Sequence, residues 1–443
     1  MTIDTTAVMT PREILERLIR FPTVNPPGDE RDCVLFVRDV LAAAGIESRL
    51  IALDPARPNL VARLAGRGDA PPLLLYGHVD VVPVADQQWS VPPFDAVERD
   101  GFIWGRGSLD DKVSVAMKVS AVLRARERGL VPAGDVILAV LADEEAGGAF
   151  GARFLVEQHP DLFAGVRFAL EETGGFTVHL GDRRIYPIQI GEKQHCVLTV
   201  TFRGPGGHAS FRHTGGATAR LGRALTTLDR RRLPVHVVEP VRAMIQAIAD
   251  ALPRAQGAVL RRLCTPALTD RVLRLVGGQV ERVFDPLLHN TVSPVIVRGG
   301  VRHNVIPSEV ELVLDGRVLP GFGADDLVRE VRGLLGTDAE VRVDSFDPCP
   351  DHLDLGLFDT LATALRLQDP EAIPVPYVTM ATTDGRHFAR LGIQSYGFTP
   401  MELPAGYDFA TMAHGADERI PVGAVDWGTE VVYRVLETYG PTP

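Results

Sequence analysis

Leu73-Leu74-Leu75-Tyr76-Gly77-His78-Val79-Asp80 begins as four apolar residues and ends with an imidazole and a carboxylate two positions apart. A short run that is apolar at every position is the signature of a strand covered on both faces. In extended chain, His78 and Asp80 project to the same side, so both can address one focus. A second apolar run, Val136–Ala142, leads straight into Asp143-Glu144-Glu145-Ala146-Gly147-Gly148. A third, Val166–Leu170, ends in Glu171-Glu172-Thr173-Gly174-Gly175. Three buried strands that each run into acidic residues set the pattern for the whole chain.

Helical patterning fills the space around these strands. Thr10-Pro11-Arg12-Glu13 combines a threonine cap, a proline at the first helical position and a glutamate three on, and Ile14, Leu15, Leu18 and Ile19 give that helix an apolar face. Further helices are expected at about Glu30–Ala44, Lys112–Arg128 and Gly148–Gln158, the first two stopped by Gly45 and Gly129. Strand–helix alternation predicts an α/β fold, a mixed and mainly parallel sheet flanked by helices. From His195 the pattern changes. Cys196–Arg203, Glu309–Val318 and Glu340–Phe346 alternate apolar and polar residues, and a helix is expected near Asp325–Leu335. The expectation is an inserted α+β domain over 195–347, with an extra arginine-rich helical segment at about 217–285. The first domain, 1–194 and 348–443, is then discontinuous, resuming after Pro350.

Composition narrows the function. The chain has 443 residues, 45% hydrophobic and 23% charged, as in an ordinary globular protein. Its net charge is −11 and it has no dense basic block, which argues against nucleic acid as a partner. It has no run of eighteen apolar residues, so no membrane-spanning helix is expected, and the N-terminus does not read as a secretory signal. The only lysines are Lys112, Lys118 and Lys193, so basic charge is nearly all arginine. Cys33, Cys196, Cys264 and Cys349 are widely spaced and form no CxxC pair, which points to a reducing, cytoplasmic setting.

Two further segments complete the chemical inventory. Gly105-Arg106-Gly107-Ser108-Leu109-Asp110-Asp111-Lys112 precedes a helix, where adjacent acids either cap N–H groups or hold metal. No GK[ST] follows, so this is not a phosphate loop. Thr411-Met412-Ala413-His414-Gly415-Ala416-Asp417-Glu418 brings a histidine and acids near the C-terminus. Consecutive acids against a buried strand repel one another and lose hydration, so they need a cation or protons. Histidine nitrogens with carboxylate oxygens and no cysteine suit zinc or a similar divalent ion in a catalytic site. Two ions about 3.5–4 Å apart need a bridging carboxylate, two histidines and two further carboxylates. A spare glutamate then takes the proton from the attacking water.

These five motifs, in this order, resemble the di-zinc metallopeptidase family of aminoacylase, succinyl-diaminopimelate desuccinylase, carnosinase-like dipeptidases and glutamate carboxypeptidase. The resemblance extends from Leu73 to the C-terminus by motif. It implies a zinc-peptidase-like catalytic domain with an inserted lid or dimerisation domain. It also implies two Zn2+ ions (Co2+ or Mn2+ as alternatives) held by His78, Asp110, Glu145, Glu172 and His414, with Asp110 bridging. Glu171 competes with Glu172, and spacing to the Gly-Gly turn favours Glu172. Asp80 would orient His78 from behind, and a cis peptide would follow Asp110. Asp111 is not expected to be a ligand. Glu144 would be the general base. In the inserted domain, His208 of Gly206-Gly207-His208-Ala209-Ser210 would polarise the scissile carbonyl, often across a dimer. Asn304, Arg317, Thr382 and Arg386 would face substrate, although Arg386 is equally suited to pairing with Asp384.

The implied function is hydrolysis of amide bonds in small carboxylate-bearing substrates, peptides or N-acyl amino acids, by a metal-activated water. The segment 217–285 lengthens the lid beyond the compact dimerising form, so a homodimer through that domain is allowed rather than required. The competing class is a catalytically inactive small-molecule or peptide binder on the same scaffold. A serine hydrolase would need a GxSxG elbow, which is absent.

Overall fold

Leu73–His78 is a strand buried along its whole length in the computed structural model, which describes residues 9–336, 339–348 and 353–441. Cys349, the resumption point at Pro350 and the first eight residues of the N-terminal reading lie outside the described residues. The alternation of a strand divides the buried run between two cores. Leu73 and Leu75 join one cluster, with the helices Pro11–Ile19, Arg31–Ala43, Lys112–Glu127, Phe358–Gln368 and Val422–Thr438. Leu74 and Tyr76 join the other, with Ala152, Phe154, Leu155 and Phe388 from the helices Ala152–Gln158 and Gly385–Ala389.

The sheet runs in the order Ser48–Ile51, Asn59–Leu64, Val136–Leu141, Leu73–His78, Phe168–Glu171, Gln394–Gly397, Arg183–Glu192 and Ile373–Thr379, with Val178–Leu180 paired to Arg183–Glu192. Its centre is parallel: Leu73–His78 pairs in parallel with Val136–Leu141 and Phe168–Glu171, and Phe168–Glu171 with Gln394–Gly397. Antiparallel pairs flank this centre. The register sets His78 opposite Leu141, Leu75 opposite Leu170 and Glu171 opposite Gly397. The carboxyl ends of the central strands therefore leave the sheet side by side, the position at which open α/β sheets bind ligands.

The chain divides into two compact units. The first comprises Met1–Ile190, Leu353–Tyr377 and Thr383–Pro443; the second comprises Gly191–His352 and Val378–Thr382. In the second, an antiparallel sheet runs Thr291–Gly299, Glu309–Val318, Gln194–Arg203, Glu340–Asp347. Cys196, Leu198, Val200 and Phe202 pack on Ala217, Leu221 and Ala224 of the helix Ala217–Arg230 and on Leu327 and Val331 of the helix Ala324–Leu335. The arginine-rich segment is helical: Ala217–Arg230, Glu239–Ala251, Arg254–Arg261, Pro266–Val276 and Gly278–Leu288.

Local chemistry accounts for the helix ends. Thr10 Oγ1 accepts from Glu13 N (3.2 Å) while Glu13 Oε2 accepts from Thr10 N (2.8 Å), the reciprocal cap that the sequence indicates. The helix expected from Gly148 starts only at Ala152. Its first residues are drawn into the acidic turn, where Gly148 N donates to Asp143 O (2.6 Å). No helix among the described residues is long and apolar enough to cross a membrane.

Candidate metal centre

His78 ends the central strand with its side chain 2% exposed. Its Nε2 lies 3.2 Å from Asp110 Oδ1 and 3.2 Å from Glu172 Oε2. His414 enters from the C-terminal motif, with Nε2 3.0 Å from Asp110 Oδ2 and 3.2 Å from Glu145 Oε1. The two oxygens of Asp110 thus face two different histidines. Two groups of donors result, His78–Asp110–Glu172 and Asp110–Glu145–His414, with Asp110 in both and the ligand atoms of each within 4.8 Å of one another. Glu144 belongs to neither group.

The strand ends explain this convergence. Val136–Leu141 continues into Asp143, held in the left-handed region at φ 69°, and then into the short turn Glu144–Ala146. Phe168–Glu171 delivers the third acidic pair and divides its labour. Glu171 accepts from Tyr76 Oη (2.5 Å), Thr383 Oγ1 (2.7 Å) and Gln189 Nε2 (2.9 Å), so it ties the strands together while Glu172 faces His78. The Asp110–Asp111 peptide is cis. Asp111 Oδ2 accepts from His78 N (3.3 Å), and burial pushes its carboxyl up to about 7.

Asp80 stands behind His78 and also supports the neighbouring turn. His78 Nδ1 lies 3.0 Å from the Asp80 carbonyl oxygen and 3.4 Å from carboxylate Oδ1. The carboxylate itself accepts from Glu144 N and Glu145 N (3.1 Å each) and from Asn25 Nδ2 (2.8 Å). It therefore fixes the backbone of both turn glutamates. Asn25 Nδ2 also donates to Asp143 Oδ1 (3.0 Å), and Arg57 Nη2 lies 3.0 Å from the same oxygen. Arg57 in turn grips Glu30 through Nη2 (2.7 Å) and Nε (3.0 Å). Asn25, Glu30, Arg57 and Asp143 are all buried. None of these supports was read from the sequence.

Electrostatics follow from the crowding. Burial, then the charge of Glu172, push the Glu144 carboxyl well above its ordinary range. Burial and the Asp110 charge do the same to Glu172. Burial also pushes Asp110 upward, but hydrogen bonds from His414 and His78 outweigh it and hold this carboxyl below the usual range. Hydrogen bonds to Asp110 and Glu145 raise His414 to about 10. Burying an ion costs roughly several kcal/mol, and two imidazoles cannot neutralise Asp110, Glu144, Glu145 and Glu172 together. Glu145 Oε1 is buried and faces His414 Nε2 at 3.2 Å. Nitrogen and carboxylate donors, a carboxylate shared between two groups and more buried acid than two imidazoles can offset fit divalent cations well.

The other expected site residues are placed as follows. His208 is exposed in the second unit, on a short strand, Gly207–His208, paired with Val305–Ile306. Asn304 is exposed in the same unit, its carbonyl accepting from Ala209 N (3.1 Å). Arg317 donates through Nε (2.8 Å) and Nη2 (3.1 Å) to Asp315. Thr382 falls in the second unit and Arg386 in the first. Arg386 makes no hydrogen bond to Asp384, whose carboxylate oxygens have none, but its charge opposes the burial that pushes Asp384 up to about 7; its Nε lies 3.3 Å from His387 Nε2.

Comparison with known proteins shows the family of the chain. The profile of peptidase family M20/M25/M40 matches residues 74–438. The chain is 29% identical to succinyl-diaminopimelate desuccinylase of Paracoccus denitrificans over 98% of its own length and 99% of that protein's. It is 27% identical to a bovine N-fatty-acyl-amino acid synthase/hydrolase, covering 83% of this chain and 74% of the relative. Among solved structures, an M20 family metallo-carboxypeptidase from Sulfolobus solfataricus shares the fold with a TM-score of 0.68 at 17% identity, over 97% of this chain and 99% of that one. Human carnosine dipeptidase 1 does so with a TM-score of 0.64 at 16% identity, over 95% and 94%. With the family profile spanning most of its length, the chain belongs to peptidase family M20/M25/M40, metal-dependent hydrolases acting on amide bonds.

Proposed function

We propose that this protein removes the acyl group from N-acyl amino acids, or cleaves short peptides, with a free carboxylate on the substrate and two zinc ions in the centre. Co2+ or Mn2+ would substitute in the same donors. The single observation that carries the reading is the pair of donor groups sharing Asp110, with Glu144 beside them and in neither. His78 and Glu172 would hold one ion, Glu145 and His414 the other, and Asp110 both. When bound, such ions supply Lewis-acid polarisation of the carbonyl and an acidified water.

The remaining steps belong to the chain. Glu144 takes the proton of the attacking water and passes it to the departing amine nitrogen, a role open to a carboxylate that stands in neither donor group. Asp80 keeps the Glu144 backbone fixed. His208 Nδ1 accepts from Ser210 N (3.3 Å), which leaves the proton on Nε2 as a donor for the developing oxyanion. Asn304, Arg317 and Thr382 would contact substrate polar groups, Arg317 with its guanidinium already oriented by Asp315. Arg386, not bonded to Asp384, would bind the substrate carboxylate. The names of the desuccinylase and the N-fatty-acyl-amino acid hydrolase support an acylated amine as the scissile group. Free thiols at Cys33, Cys196 and Cys264 support a cytoplasmic location.

We further propose a homodimer through the second unit. The strand Thr291–Gly299 is an edge of its sheet, and Val295, Ile296 and Val297 are 56%, 44% and 54% exposed. An exposed apolar edge pairs readily with a second copy of itself.

Three outcomes are expected. Glu144→Gln lowers kcat about 10²–10⁴-fold while keeping KM and bound metal; wild-type turnover by this variant would remove the base assignment. Arg386→Met raises KM for N-acyl amino acids roughly 10–100-fold with kcat little changed, the value of a lost charge-assisted hydrogen bond; an unchanged KM would free Arg386 from substrate binding. In sedimentation velocity the wild type runs as a dimer and Val297→Lys as a monomer; a monomeric wild type would contradict the dimer.

A further inference from the structure

The five residues facing the centre are not equally supported. His78 stands at a strand end, and the side chains of His78 and Glu145 are 2% and 6% exposed. His414 is 52% exposed and has left-handed backbone, φ 62°. The helix before it, Phe409–Met412, is a single turn, and Asp417 after it is again left-handed, φ 61°. Neither a strand nor a long helix anchors this residue.

What holds it is a loop more than three hundred positions earlier in the chain. Gln87 Nε2 donates to the His414 carbonyl oxygen (2.8 Å). Gln87 Oε1 accepts from Arg106 Nη2 (2.8 Å) and from Trp89 Nε1 (3.2 Å), which orients the amide. Three residues on, Ser90 N and Ser90 Oγ donate to the two carboxylate oxygens of Asp417 (2.7 Å each). The loop thus grips the His414 turn at both left-handed residues. Arg106, fully buried, joins this grip to the Asp110 segment. Its Nη2 also reaches His414 O (3.2 Å), and its Nη1 donates to Glu418 Oε2 (2.6 Å). Glu418 Oε1 accepts from Leu109 N (2.6 Å) and Asp110 N (3.2 Å).

We propose that Gln87 and Ser90 are positioning residues that clasp the His414 turn and set how tightly Asp110, Glu145 and His414 together hold a divalent cation. The proposal rests on the reading of the centre given above. A ligand on an exposed turn must be ordered before it can bind, and a turn already fixed at its carbonyl loses less freedom on binding. Among the described residues neither Gln87 nor Ser90 bonds to His78 or Glu172, so their loss acts on the ion that His414 would hold.

The test is competition between metal-free protein and a chromophoric chelator for Zn2+, with thermal melting of the same metal-free samples. Wild type takes up two ions. Gln87→Ala, and more strongly Gln87→Ala/Ser90→Ala, bind one of them about 10–100-fold more weakly, as loss of outer hydrogen bonds to a ligand does, with the other within about twofold. The weakened ion is the one that His414→Ala loses altogether. Gln87→Glu, equal in size but lacking the N–H donor, weakens it as much as alanine does, and the melting temperature of the half-exposed Gln87 variants is unchanged. Two ions bound with wild-type affinity by the double variant would overturn the proposal. So would equal weakening of both ions together with a lowered melting temperature. A wild-type protein that takes up no second ion would overturn the reading of the centre itself, and the clasp with it.

Discussion

Mutual repulsion among carboxylates gathered at one end of a buried sheet is the constraint on which this structure depends. Asp80, Asp110, Asp111, Glu144, Glu145 and Glu172 all converge on the ends of the central parallel strands, and two imidazoles are the only histidine partners in the two donor groups. Such a cluster is stable only where each charge is met by a hydrogen-bond donor, a proton or a cation. The protein answers differently for different members. Glu171 is met by hydroxyl and amide donors and becomes part of the scaffold. Asp80 is met by two backbone N–H groups and an amide. Asp110, Glu145 and Glu172 are left facing histidines, in geometry that suits metal.

Two buried ion pairs serve as anchors behind the centre. Arg57 with Glu30 reaches Asp143, at the start of the turn that carries Glu144 and Glu145. Arg106 with Glu418 reaches the backbone of Asp110 and of His414. Each arginine presents several donors in a fixed fork, so one side chain joins loops far apart in sequence. The centre is therefore held by its periphery as much as by the strands that deliver its ligands. The turn of Glu144 and Glu145 hangs on the first of these anchors, the segments of Asp110 and His414 on the second.

Much of this was legible in the sequence because it is local. Apolar runs such as Leu73–Tyr76 and Val136–Leu141 declare buried strands, and the acids that follow them declare a site. The supports were not legible, because they join residues such as Asn25 with Asp143, or Gln87 with His414, whose pairing only the fold creates. The edge strand Thr291–Gly299 also escaped reading: it is exposed through most of its length and contains Pro294, so neither alternation nor a continuous buried run marks it. The three lysines are all buried and donate to carbonyl oxygens: Lys112 to Leu18 and Phe21, Lys118 to Tyr76, Lys193 to Pro286 and His289. A compact ammonium suits that role where a planar guanidinium does not.

The most direct examination of the central claim is anomalous diffraction at the zinc edge from crystals of the metal-loaded protein. The account predicts two peaks joined by Asp110, one touching His78 and Glu172, the other Glu145 and His414, with Glu144 coordinated to neither. A map without a peak among these residues, or with Glu144 as a ligand and Asp110 bound to nothing, would contradict it.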